Sequence, residues 1–286
     1  MFRAFEWNES DHSKTNAGFV ADVVSLNWPV DETDPPLVDG RWDFEFGVVD
    51  ADQEYTSASI LLDVLLKPDE TFDSGRLQIS IVYTESLDSD EGLRAAVDEA
   101  KELWRDLYDQ IGIEVAFVDY AFPDEDLAPP AFGLEQAYVD IATDTAPRSV
   151  NLVISDSIVG YDDIFGIAGD IPGPLIPTTR SAVQVSALLA AGADGVFDAE
   201  DTRLLAETMA HETGHYLGLF HPVESAWDAW DVLTDTPECD TEGDCVEELG
   251  DNLMFPFPVC GPVTCTPQDG LTIQQGSVAN RYVGVW

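Results

Sequence analysis

Three of the four histidines in this chain fall within eleven residues, His211 to His221, in the stretch HETGHYLGLFH. Residues four apart share one face of a helix, so His211 and His215 can offer two imidazoles to a single point if this stretch is helical. Gly218 has no Cβ and can take a positive φ, which lets the helix end and the chain turn sharply. That turn brings His221 back towards the same point. The stretch therefore commits the chain to a helix, a glycine turn and a return, and the rest of the fold has to accommodate all three.

Three neutral ring nitrogens plus a water make an open tetrahedral zinc site. Glu212 stands beside the first ligand, where it can hydrogen-bond a water on the ion. A purely structural site would close with a fourth ligand and would not need such a base, so Glu212 points to chemistry.

Charge narrows the partners. The chain has 56 acids against 12 bases, a formal net charge of −44. Such a polyanion repels nucleic acid and anionic lipid, which argues against both as partners. No apolar run reaches the ~18 residues of a membrane span, so no membrane insertion is expected. Between Leu204 and Asn280 there is no Lys or Arg, against 14 acids. The segment after Ala229 is dense in carboxylates, and hard oxygen ligands suit Ca²⁺. Calcium is therefore a second expected ion, with Asp235 and Thr236 as its first ligands.

The four cysteines lie within 27 residues and are not spaced as CxxC pairs. In an irregular, Gly/Pro-rich segment they read as two disulfides, which implies an oxidising compartment. Three pairings are open; the local one, Cys239–Cys245 and Cys260–Cys265, is expected. The start, MFRAFEWNESD, lacks the layout of a signal peptide. An extracellular or cell-surface location is accordingly expected for a processed, exported chain whose signal segment is not part of this sequence.

Two domains are expected, residues 1–75 and 76–286. In the first, RWDFEFGVV alternates Trp42, Phe44, Phe46 and Val48 on one face, as a half-buried strand does. SILLDVLLK adds another apolar segment, and a small all-β sandwich is the natural reading. DPPLVDGRWDFEFGV resembles the pre-peptidase β-sandwich modules attached to secreted bacterial proteases. From residue 76 the texture is α/β. RLQISIVY, IEVAFVDY, SVNLVIS and SAVQVSALL read as strands. Leu93, Val97, Ala100, Trp104, Leu107 and Ile111 line one face of a helix over 91–110, with Asp88 and Glu91 as a capping box and Gly112 as its stop. GIAGDIPGPLIPTTR reads as a loop. A second helix starts at Asp198, an N-cap with Asp201 three residues on. The chain after His221 reads as irregular until a short closing helix in LTIQQGSVANRYV. No internal repeat is present.

HETGHYLGLFH matches HExxHxxGxxH, and on those residues the chain resembles the metzincin zinc peptidases. DNLMFPF supplies Met254, which the resemblance assigns to the Met-turn beneath the zinc histidines. DVLTDTPEC and DNLM are similar to elements of the pappalysin/cytophagalysin group. Pro222 after the third histidine is similar to serralysins and leishmanolysins, but the glycine-rich β-roll repeats of serralysins are missing. The resemblance implies an α/β (α+β) catalytic domain with a mixed twisted sheet and a long zinc-binding helix. It implies a zinc-dependent endopeptidase acting on proteins or peptides, with His211, His215 and His221 as ligands and Glu212 as general base and acid. Substrate would align along an edge strand in or near residues 181–188. Many metzincins carry a Tyr two residues after the turn Met; here that position is Pro256, leaving the chemistry to zinc and Glu212. MFPFPVCG suggests an apolar pocket, whereas the acidic field favours cationic peptides. A monomer is expected. The rival reading is a non-catalytic, zinc-containing adhesion or binding protein working through its β module, and a third is a latent enzyme whose zinc is capped by His12 or a nearby acid.

Overall fold

The computed structural model describes residues 72–286 apart from 85–86, 124–126, 193 and 262–263, and before them residues 23, 25–30, 34, 48–49, 55–57, 59 and 61–67. Two short strands come first, β1 (Val48–Val49) and β2 (Tyr55–Thr56), paired antiparallel. They are followed by β3 (Gly75–Thr84), α1 (Glu91–Asp109), β4 (Ile113–Phe122), α2 (Ala137–Asp144), β5 (Val150–Ser155), β6 (Gly166–Ala168) and β7 (Val183–Ser186). The chain ends through α3 (Ala187–Ala190), α4 (Ala199–Leu217), α5 (Glu242–Leu249) and α6 (Ile273–Arg281).

RLQISIVY alternates Leu77, Ile79, Ile81 and Tyr83 on one face with Arg76, Gln78, Ser80 and Val82 on the other, so one face is fully apolar and the other carries a single apolar residue. It forms β3, which pairs in parallel with β4 on one side and β5 on the other. The sheet order is β4-β3-β5-β7-β6, with β7 parallel to β5 and only β6 running antiparallel, along β7. Alternation along β3 sorts the two cores. Leu77, Ile79, Ile81 and Tyr83 join the main core with α1 and α4, whereas Val82 joins Val153, Tyr138 and Ile141 under α2.

α1 forms where its apolar spacing predicts it. Leu93, Val97, Ala100, Trp104 and Leu107 are all buried, and Trp104 meets Tyr108 edge-on with ring centroids 5.8 Å apart. Its cap differs from expectation. Asp88 lies in a 3₁₀ turn, and the cap is Asp90, whose carboxylate accepts from the Gly92 and Leu93 amides at 2.8 and 2.9 Å. Gly112 follows the helix with φ +75°, and a Cβ there would come within 2.4 Å of the Asp73 carbonyl. The Tyr108 hydroxyl donates to the Ala210 carbonyl at 2.8 Å, which ties α1 to α4 one residue before His211.

Three expectations are corrected. GIAGDIPGPLIPTTR is not all loop, because its first three residues form β6. The region after His221 contains α5, capped by Thr241 and burying Cys245 and Leu249. In SILLDVLLK, residues 61–67 form no strand, and Leu61 is 89% exposed. The β-sandwich expected over 1–75, with Trp42, Phe44 and Phe46, lies largely outside the described residues, as does His12. Of the described part, Asn27 donates to the Leu217 carbonyl at 3.5 Å and Lys67 to the Asn280 carbonyl at 2.5 Å.

Trp104 is fully buried between α1 and the sheet. Trp104→Ala should destabilise the fold by about 3–5 kcal/mol, the usual cost of removing a buried aromatic ring. Urea denaturation would show it as a lower midpoint at unchanged slope.

Candidate metal centre

The site is built on α4. Asp198 starts the helix by accepting from the Glu200 and Asp201 amides at 2.7 and 3.0 Å, while the Asp201 carboxylate returns the bond to the Asp198 amide at 3.0 Å. Gly218 ends it at φ +110°. The Gly218 amide donates to the His215 carbonyl at 2.9 Å and the Leu219 amide to the Gly214 carbonyl at 3.0 Å, the paired closure of a Schellman turn. This turn sends the chain back and places His221 against the helix.

The side-chain nitrogens of His211, His215 and His221 lie within 4.8 Å of one another, and the Nε2 atoms of His215 and His221 are 3.1 Å apart. Two nitrogens each ~2.0–2.1 Å from one tetrahedral zinc sit about 3.3 Å apart, so the spacing fits a shared ion. Among the described residues, no other group of three His, Cys, Asp or Glu side chains converges in this way.

Hydrogen bonds on the far side of each ring aim it. His211 Nδ1 donates to the Leu253 carbonyl and His215 Nδ1 to the Leu219 carbonyl, both at 2.7 Å. A carbonyl only accepts, so each Nδ1 carries the proton and each Nε2 is left with its lone pair for a metal. His221 Nδ1 lies 3.0 Å from a Glu224 carboxylate oxygen, which sets the same tautomer. Burial, then the neighbouring His221, holds His211 down at about 3. Burial, with His221 and His211 beside it, keeps His215 well below the usual imidazole range. Both rings are neutral, as ligands must be.

Glu212 is buried on the neighbouring side of α4 and accepts from the Ala168 amide of β6. Burial pushes its carboxyl up to about 8, against the pull of that amide. The bonds from Ser186 to the Phe165 carbonyl and from Gly169 to the Ala182 carbonyl fix the β6–β7 pattern. Gly166 and Ala168 therefore turn their amides and carbonyls away from β7, along an edge that no other described strand covers. The edge strand expected at 181–188 is thus misplaced: β7 is interior, bonded to β5 and β6, and all four of its residues are buried.

Met254 lies fully buried below the helix, and a Cβ on Gly214 would sit 2.6 Å from its sulfur. Its turn is held by Asn252, whose side-chain oxygen accepts from the Met254 amide at 2.9 Å. Asn252 and Gln275 exchange two side-chain amide bonds at 3.0 and 3.1 Å, and Gln275 belongs to the capping box of α6. The Leu253 carbonyl that aims His211 is thereby tied to α6.

Asp235 and Thr236 both take part in hydrogen bonds. The Asp235 carboxylate accepts from the Thr272 hydroxyl and the Gln274 amide, both at 2.9 Å, at the start of α6. Thr236 donates to Asp231 at 2.6 Å. Neither joins a metal-spaced group with other acids. The cysteines pair as expected, Cys239 with Cys245 and Cys260 with Cys265. Sequence reasoning missed Glu224, Asn252, Gln275 and Gly166. Glu224 left a local trace, three residues after His221, and Asn252 lies in the DNLM stretch that carries part of the resemblance.

No protein-family model matches the chain, and no curated protein matches it. Among solved structures it is similar to metalloproteinase-II from Bacteroides fragilis, at 15% identity and a TM-score of 0.38, over 60% of this chain and 55% of that one. It is also similar to a zinc-dependent peptidase from Methanocorpusculum labreanum, at 14% identity and a TM-score of 0.33, over 71% of this chain and 94% of that one. The chain thus spans about half the length of the first of these proteins.

Glu224 is the one side chain among the three ring-aiming partners, so it can be removed. Glu224→Ala should weaken zinc binding about 10–100-fold, and Glu224→Gln, which keeps an acceptor, by less. Competition titration against a chromophoric chelator would measure both; equal affinity in all three proteins would count against the role.

Proposed function

We propose that this chain is a zinc-dependent endopeptidase of the metzincin type, in the pappalysin/cytophagalysin group, acting on proteins or peptides outside the cell as a monomer. The observation that carries the reading is the convergence of three aimed imidazoles next to a buried carboxylate on an open strand edge. His211, His215 and His221 would hold a zinc ion, which when bound would supply Lewis-acid chemistry and make nearby water easier to deprotonate. Glu212 in its ionised form takes the proton of the attacking water and passes it to the leaving amine. The outward amide and carbonyl of Gly166 and the outward carbonyl of Ala168 receive the substrate backbone as an added strand. Leu253, Leu219 and Glu224 keep the three rings from turning. Met254 fills the space beneath them. Pro256 leaves no phenol after the Met-turn, so proton transfer falls to Glu212.

Two disulfides support export, since such bonds persist in oxidising compartments. No described helix is long and apolar enough to cross a membrane.

Two variants test the reading together. His215→Ala should lose the zinc found at about one ion per chain in the unaltered protein, measured by mass spectrometry after dialysis without chelator. Glu212→Ala should keep the zinc and lose about 10²–10⁴-fold in kcat on a cleavable peptide. Full turnover in Glu212→Ala would overturn the assignment.

A further inference from the structure

A glycine inside a strand loses side-chain packing and gains flexibility, so its presence marks a place where something approaches closely. Gly166 opens β6 and is buried. It is absent from the glycines with positive φ, so other residues can adopt its backbone without strain. Space is what the position requires. A Cβ built on Gly166 would lie 2.5 Å from Cγ of Glu212 and 3.1 Å from both its Cδ and Oε1. Cγ stands near the root of the side chain, so moving the carboxylate tip alone cannot relieve that contact. The chain beyond Cβ has to take another rotamer, and this carries the carboxylate off the Ala168 amide that it now accepts from.

We infer that Gly166 is a positioning residue for Glu212: the missing side chain forms the slot in which the carboxylate lies, and the Ala168 amide two residues on fixes its end. The inference rests on the reading of Glu212 as the proton-transfer group. It adds that the strand edge offered to substrate also sets where that group stands, so substrate backbone and carboxylate share one register.

A double-mutant cycle on zinc-loaded protein tests this, using the unaltered chain, Gly166→Ala, Glu212→Ala and the double variant. Gly166→Ala should lower kcat at least tenfold with KM and zinc affinity within about twofold of the unaltered values. It should also lower the melting temperature when Glu212 is present and leave it unchanged in the Glu212→Ala background, where Cγ is gone. The double variant therefore reports on the slot even if Gly166→Ala alone does not fold. Unaltered kcat in Gly166→Ala, or the same loss of melting temperature in both backgrounds, would overturn the inference. Full peptidase activity in Glu212→Ala would instead overturn the reading of the base, while the thermal cycle would still decide the contact.

Discussion

A histidine ring turns about its Cβ–Cγ bond unless something stops it, and three unstopped rings do not define a point. Here every ring is stopped by an acceptor on its far nitrogen: Leu253 for His211, Leu219 for His215 and Glu224 for His221. These acceptors arise at different distances along the chain. Leu219 comes from the turn that ends the helix and Glu224 from the next few residues, so the geometry of the second and third rings is local. The Leu253 carbonyl lies 42 residues from His211, and its placement depends on Asn252, Gln275 and the start of α6.

The flank of α4 towards the second disulfide is held by polar side chains. The Glu200 carboxylate accepts from the Cys265 amide, Arg203 donates to the Cys265 carbonyl at 3.2 Å, and Glu207 accepts from both Arg203 and the Gln268 amide. The chain has no other cation until Arg281, so Arg203 alone brings positive charge to this flank from α4 onward. Tyr108 also grips the helix, through the Ala210 carbonyl. An acidic, loop-rich segment is thus fastened to α4 through its backbone groups by Glu200, Arg203 and Glu207, while Val223, Cys239, Cys245, Leu249 and Phe255 form an apolar cluster within it.

What could be read from the sequence was local and periodic. The spacing of Leu93 to Ile111 marks α1, and the histidine spacing with Gly218 marks α4 and its end. β6 could not be read in this way, since three residues including a glycine carry no alternation. VQVS looked like a strand, but its burial, complete on all four residues, belongs to a sheet interior rather than an edge. α5 was hidden because its acidic sequence buries only Cys245 and Leu249. Asp235, read from the sequence as a calcium ligand, accepts with both carboxylate oxygens from the start of α6. Carboxylate density alone does not distinguish a cation cage from a helix cap, because both need the same oxygens.

The tie from Gln275 through Asn252 to Leu253 also governs timing. Chains emerge and fold from the N-terminus. His211, His215, His221 and Glu212 are all synthesised before the Leu253 turn exists, and about fifty residues before Gln275 can brace it. A nascent chain stopped within that interval holds the whole metal-binding stretch, yet the ring of His211 has no fixed direction. The three histidines are therefore made before the carbonyl that aims His211 and before the helix that braces it.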